Sequence, residues 1–280
     1  MNLFPYIATG LGLGAIYGMA ALGLVILFRA SGTVNFSMGA LGALAAHVTW
    51  QLIQIGAPWV LAWGAGIAAA TLASVGYGRL VSARLIERDQ TVRSIASLGF
   101  ALFLLGLNIT VWGPGLPRRL TLPTDHLSVL ILGVKLTYTR LIALGFAVLA
   151  ALAVGQVLTR TRLGLAMRAM AASRPTATVI GVPVLATDTA AWAISGFFAG
   201  VTGLFLSVLI VMSPVPLTFL VIPALAAAAI GRMTSMRGAI VGGLICGLGE
   251  AMLTGVPMFT VYRSAFPYVI ALVFLTLRAG

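Results

Sequence analysis

The sequence predicts an all-α, polytopic bundle of transmembrane helices with about 8–9 membrane segments, some of them re-entrant or broken. Three observations predict it. Hydrophobic residues make up 60% of the 280 and charged residues only 8%, against roughly 25% charged in a soluble domain. Mean hydropathy is +1.10. The apolar residues also fall into charge-free runs, many of about 20 residues, the length that crosses a hydrocarbon core as a helix. Such a composition excludes a soluble enzyme, a disordered chain and a disulfide scaffold.

The first run covers 3–28 and no charge precedes it before Arg29. A cleavable signal sequence carries charge ahead of its apolar core, so this run reads as a retained first span. Further spans are expected over 34–54, 59–80 (after the break Gly56-Ala-Pro58) and, beyond a charged stretch, 94–113. Residues 114–133 hold Pro, Gly, Arg118, Arg119, Asp125 and His126 and read as a loop; 136–158 form the fifth span. A long basic segment, 159–188, precedes a span over 189–212. Ser213-Pro-Val-Pro216 breaks the chain, and 217–230, 239–254 and 264–277 are short. Short pieces of this kind are tolerated as re-entrant or broken helices inside the protein or along a cavity.

The 17 basic residues against 5 acidic ones give a net charge of +12. Nucleic acid is not the expected partner, because these charges sit in short loops between apolar runs, where they set topology. With the 159–188 segment placed inside, 12 basic residues fall on the inner side and 5 on the outer. That favours an external N-terminus, provided 217–230 crosses; if it only dips, the C-terminal half inverts. Cys246, the single cysteine, reads as a small buried hydrophobe.

Small residues recur at helical spacing: Gly14 and Gly18 (with Gly10) in the first span, Gly196 and Gly200 in the sixth, Gly243 and Gly247 in the eighth. Such faces let helices approach closely where no hydrophobic effect drives association. They serve packing within the chain, gating, or contact between subunits.

Catalytic constellations are nearly absent. His47 and His126 are far apart, and no His, Cys or carboxylate cluster has metal-ligand spacing, so no metal site is expected. A phosphate-cradling loop ends in Gly-Lys-Ser/Thr, and the only lysine, Lys135, precedes Leu136. The chain is not expected to be an enzyme or to bind a cofactor. Glu250 is the clear intramembrane ionisable residue. It costs about 2.5–3.5 kcal/mol to insert, so it either lines a polar path or is paired near a helix end. Asn35 and Ser37 open the second span, either capping it or presenting its amides to a carboxylate. Between Thr159 and Asp188, Leu163, Ala166, Met167, Met170 and Ala171 fall at helical spacing among Arg160, Arg162, Arg168 and Arg174. An amphipathic helix of this kind lies on membrane lipid or docks on a protein, and charge and periodicity alone favour lipid.

Four stretches carry a resemblance: Gly14 to Phe28 running into Val34-Asn-Phe-Ser-Met-Gly39; Ser97-Leu-Gly99 with Trp112-Gly113; Thr161 to Ala169 with Ala177-Thr-Val-Ile-Gly181; and Gly231 to Ala239 with Gly242-Gly243 and Glu250. In family order and over nearly the whole chain, they resemble the permeases of branched-chain amino acid ABC importers, the hydrophobic amino acid uptake family, in its smaller permease type. The resemblance implies one transmembrane permease domain over 1–280 with a cytoplasmic ATPase-docking loop at 159–188. Arg162, Gly164, Arg168, Ala169, Ala177 and Gly181 would form the docking segment, which turns the expectation for its helix from lipid to protein. Asn35, Phe36, Ser37, Gly39, Ser235 and Glu250 are the candidates for the translocation path. The implied partners are ABC ATPase subunits carrying ATP-Mg, a second paralogous permease subunit and a periplasmic or extracellular solute-binding protein. The implied place is the bacterial inner membrane. The implied cargo is branched-chain or other hydrophobic amino acids or related small solutes.

The chain also departs from that family. Where the family often reads Asn-Phe-Ala-His-Gly-Glu, this chain has Asn35 to Ala40 without either ionisable group; Arg232 stands at a usual glycine, Arg237 at a common proline and Thr176 at a common acid. The alternative reading is a self-sufficient secondary transporter or channel, which has no need of a docking loop.

Overall fold

The computed structural model describes residues 4–114, 118–120, 128–131, 134–209, 212–255 and 257–279. Asp125 and His126 lie outside them. The described residues are helical apart from loops and one hairpin, and an apolar helical segment stands at each of the nine expected stretches. These are α1 (Phe4–Ser31), α2 (Met38–Gln54), α3 (Trp59–Leu80), α4 (Gln90–Trp112) and α5 (Tyr138–Arg160). There follow α6 (Arg162–Ala172), α7 (Arg174–Val179), α8 (Val184–Leu209), α9 (Pro214–Thr218), α10 (Val221–Ile230), α11 (Met236–Thr254) and α12 (Phe266–Ala279). Among the described residues six helices are long and apolar enough to cross a membrane. Helix α2 has 17 residues, and Pro214–Ile230 and Met258–Phe274 are shorter apolar segments. The chain is a multi-pass membrane protein.

Helix α2 begins at Met38 and α4 at Gln90, each four residues from expectation, and three further differences change the outline. The loop read over 114–133 contains strand β1 (Ser128–Ile131), which pairs antiparallel with β2 (Val134–Thr137) at the mouth of α5. Helix α8 begins at Val184, so Asp188 lies a turn inside it. A carboxylate normally marks a helix end in such a chain; this one is partnered, as described below. The 217–230 stretch is broken, α9 ending at Thr218 and α10 starting at Val221.

The chain divides into two compact units. The first comprises Met1–Leu22, Thr121–Ala151 and Ile222–Gly280. Its centre is an antiparallel crossing of α1 and α11. A Cβ added at Gly10 would lie 2.8 Å from Leu248 Cα, and one at Gly14 would lie 2.8 Å from Leu244 Cα. From the other side, Gly243 abuts Gly18 and Gly247 abuts Gly14, backbone on backbone. In lipid such close approach supplies the dispersion contacts that hold helices together. Gly242 of α11 packs as closely on Ala227 of α10.

The second unit comprises Gly23–Leu120 and Leu152–Val221. Here α2 lies against α3 and α8. Gly42 meets Gly203 of α8, Gly66 of α3 meets Ala45, Gly196 of α8 meets Ser74 of α3, and Gly200 meets Ile67. Side chains pin the same seams: Thr49 donates to Ala62 O (3.2 Å) and Ser74 to Trp192 O (2.7 Å). Large apolar side chains on the outer faces of α3, α4 and α5, among them Leu72, Leu102 and Leu149, remain exposed. Those faces suit lipid or another apolar protein surface.

Candidate functional site

Helix α1 ends where Gly32 turns back at φ +71° and donates to Phe28 O (2.7 Å). Residues 32–37 are then non-helical among buried neighbours, and buried backbone groups need partners. Helix α4 supplies them. Ser94 Oγ accepts from Val34 N (3.2 Å), and Ser97 Oγ accepts from Phe36 N (3.1 Å) while lying 2.8 Å from Val34 O. Arg93 donates to Ser31 O (2.6 Å).

Asn35 knits the break together. Its Oδ1 accepts from Ser37 N (3.0 Å) and Ser37 Oγ (2.6 Å), and its Nδ2 donates to Ser195 Oγ of α8 (2.9 Å). Asn35, Ser37, Ser97 and Ser195 are all fully buried. A Cβ at Gly39 would overlap Thr218 O of α9. Of the candidate path residues here, Asn35, Ser37 and Gly39 hold the entry of α2 against α4, α8 and α9, and Phe36 is partly exposed.

The other two path candidates lie at opposite ends of α11, in the first unit. Ser235 caps that helix, its Oγ accepting from Gly238 N (3.0 Å). Glu250 is half-buried, and Oε2 accepts from Tyr17 OH of α1 (2.8 Å), one turn from the glycine crossing. The turn between α10 and α11 puts Arg232 at φ +58° and Met233 at φ +55°. Their amides reach back to Ala229 O and Ala228 O (both 2.8 Å), a helix-ending geometry that usually takes glycine.

Between the end of α5 and the start of α8, the 159–188 segment folds as two short helices, α6 and α7. Thr161 caps α6 by accepting from Gly164 N (3.2 Å). Gly164 lies on the backbone of Leu158, and Met167, Met170 and Ala177 are buried. The opposite face presents Arg162, Arg168 and Gly181 with exposed Leu165, Val179 and Ile180. Ala169 is half-exposed, and Ala171, expected on the apolar face, is exposed. Gly181 stands at φ +84° with open space around it. The segment thus divides into an inward set (Gly164, Met167, Met170, Ala177) and an outward basic and apolar set.

Sequence reasoning missed what ties this segment to the long helices. Asp188 Oδ1 pairs with Arg174 (3.2 Å), and Oδ2 accepts from Ser82 Oγ (2.8 Å), which in turn accepts from Trp192 Nε1 (3.1 Å). Arg174 also donates to Ile86 O (3.1 Å). Tyr77 packs on Trp192 with ring centroids 4.6 Å apart. One salt bridge therefore joins α7 to α8 and to the turn after α3. A carboxylate isolated behind a run of arginines was the available signal; its partner was not.

Comparison with known proteins bears on what these parts serve. The family described as "Branched-chain amino acid transport system / permease component" matches residues 6–275. The high-affinity branched-chain amino acid transport system permease protein LivH of Salmonella typhimurium is 26% identical over 97% of this chain and 92% of its own length. That of Escherichia coli K12 is 25% identical over the same shares. A probable branched-chain amino acid transport permease protein LivH of Methanocaldococcus jannaschii is 25% identical over 84% of this chain and 76% of its own. Among solved structures, PsaBC from Streptococcus pneumoniae in complex with Fab covers 98% of this chain and 90% of that chain, at 14% identity and a TM-score of 0.49. With the family match running from the first turn of α1 into α12, the chain belongs to the permease components of branched-chain amino acid transport systems.

Proposed function

We propose that this chain is a pore-forming subunit of an ABC importer that carries branched-chain or other hydrophobic amino acids, or related small solutes, across a bacterial inner membrane. The observation that carries this reading is the two-faced α6–α7 segment. Its inward face is seated by Gly164, Met167, Met170 and Ala177. Its outward face offers Arg162, Arg168, Leu165 and Ile180 to a partner. An ATPase subunit holding ATP-Mg would engage that outward face, and the Arg174–Asp188 pair would pass its motion to α8 and the end of α3. Coupling of this kind is one two-state element biased from two sites.

In this reading the whole of 1–280 serves as one permease domain with its N-terminus outside, working beside a second permease and an external solute-binding protein. The chain itself binds no cofactor or metal. The buried network at Asn35 supports a structural duty for Asn35, Ser37 and Gly39 at the α1–α2 break, with Phe36 as the neighbour that can meet cargo. The glycines Gly14, Gly18, Gly243 and Gly247 in one unit and Gly196 and Gly200 in the other serve helix packing.

The test is purification of the tagged chain from native membranes in mild detergent, with partner masses measured. An ABC ATPase and a second permease at near-equal stoichiometry are expected. Arg168→Glu with Gly181→Val should release the ATPase and abolish ATP-driven uptake. A chain that purifies alone and moves solute in liposomes without ATP would instead be a secondary transporter, with Glu250 the first residue to examine for ion coupling.

A further inference from the structure

The C-terminal ends of α2 and α4 enclose a second polar cluster in the same compact unit. His47 lies on α2, and Asn108 and Trp112 lie one turn apart on α4. The rings of His47 and Trp112 are 5.3 Å apart. Arg118, just past α4, sits over the Trp50 ring at 4.7 Å and donates to Trp112 O. Met212 N donates to Arg118 O (3.0 Å), which holds that segment in place.

The hydrogen-bond roles follow from what is already engaged. His47 Nδ1 lies 2.7 Å from Ala43 O. A carbonyl only accepts, so Nδ1 carries the hydrogen, and the neutral ring then presents a lone pair at Nε2. Asn108 Nδ2 donates to Leu104 O (2.8 Å), which leaves Oδ1 as an acceptor. Trp112 Nε1–H can only donate. These three atoms are buried and have no protein partner among the described residues. His47 and Asn108 are themselves fully buried. Native proteins leave few such groups, and each costs about 1–3 kcal/mol if it stays unpaired. Of the six buried unpartnered side-chain atoms among the described residues, three gather here.

We propose that His47, Asn108, Trp112 and Arg118 form a binding site for the charged head of an α-amino acid. Its ammonium donates to His47 Nε2 and Asn108 Oδ1, and its carboxylate accepts from Trp112 Nε1–H on the side of the Arg118 guanidinium. Two neutral acceptors suit a cation, and a donor beside a fixed positive charge suits an anion. The place for an apolar side chain adjoins the cluster. Leu44 lies a turn before His47 and Leu104 a turn before Asn108; with Phe103, Leu107 and residues of α3 such as Tyr77 they line a groove of about 600 Å³, which the four head-group residues neighbour but do not line. The cargo class rests on the proposed function; the site itself rests on the three unpartnered atoms. A trapped water also gives two hydrogen bonds and takes one, but it makes no use of the groove or of the charge.

The test uses the intact complex with its ATPase in nanodiscs, titrated calorimetrically and by thermal shift with L-leucine, L-leucinamide and 4-methylpentanoate. The wild type should prefer leucine to both analogues. Trp112→Phe keeps a ring against His47 but removes the donor; it should weaken leucine about tenfold or more and bring it level with leucinamide. Asn108→Leu should bring leucine level with 4-methylpentanoate. Variants that titrate like the wild type overturn the site. So does a wild type that ignores leucine in both measurements while ATP-driven leucine uptake persists, the cluster then holding water only. Absence of ATP-driven uptake of leucine and of every other hydrophobic amino acid or related small solute by the wild type is a separate result, which overturns the proposed function. Should Asn108→Leu fail to fold, Trp112→Phe alone decides between these outcomes.

Discussion

Two polar clusters lie inside the same compact unit of this permease, and they are built differently. Around Asp188 the groups close on one another: one carboxylate oxygen takes Arg174, the other takes Ser82, and Ser82 takes Trp192. Around His47 they do not: Nε2 of His47, Oδ1 of Asn108 and Nε1 of Trp112 are buried without protein partners among the described residues. A closed network in a low-dielectric interior rigidifies what it joins, whereas an open one is costly unless something else completes it. The difference separates a joint from a site. The joint lies where α7 meets the long helices, and the site lies between α2 and α4.

The comparison can be broken most directly at Asp188. Asp188→Ala leaves Arg174, whose side chain is 20% exposed, and Ser82 without their carboxylate and should cost about 2–3 kcal/mol, below the penalty for a fully buried pair because Arg174 keeps some access to water. Thermal unfolding in nanodiscs would read this, and ATP-driven uptake should fall with it. A loss under about 1 kcal/mol would mean that the pair is a solvated contact and no joint.

A steric control comes from the other unit. Gly243→Ile drives a branched side chain into Gly18 of α1. An overpacked core costs about 1–3 kcal/mol, and separation of α1 from α11 would also disturb the Tyr17–Glu250 bond. Unchanged melting would show that the crossing has room to spare. Smaller still, Asn108→Leu should be neutral or stabilising by up to about 1 kcal/mol without leucine, since an apolar residue of similar size removes an unpaired acceptor. Asn108→Leu destabilising as much as Asp188→Ala would erase the distinction between the clusters. The least effect is expected at Arg232. Replacing it with glycine at φ +58° should stabilise by about 0.5–1 kcal/mol, measured as a small rise in melting temperature with transport unchanged.

Much of the fold was legible in the residues. The runs over 3–28, 59–80 and 136–158 became α1, α3 and α5 within a few residues, because apolar length and charged punctuation suffice to mark a helix in lipid. The glycine spacing on α1 and α11 was legible as a pattern, though not the fact that the two patterns face each other. Where reading failed, a charge misled it. By its charge Asp188 reads as the end of a loop, but with Arg174 and Ser82 as partners it sits inside α8. The pairing of Ser128–Ile131 with Val134–Thr137 is not legible in the sequence, because eight paired residues leave too short a periodicity beside a loop rich in proline and glycine.

The candidate site was less legible for the same reason. Asn35 was singled out, but its partner Ser195 is 160 positions away; Ser82 and Asp188 are 106 apart, and Tyr17 and Glu250 are 233 apart. His47 stood out only as one of two histidines.

The sequence by itself determined the membrane class, the nine apolar segments and the family, because in lipid a helix satisfies its own backbone and apolar length is information enough. Only the tertiary structure decided which of the rare polar side chains are closed upon each other and which stay open to a ligand. Each such pairing depends on packing between helices distant in sequence, and no local pattern of residues records it.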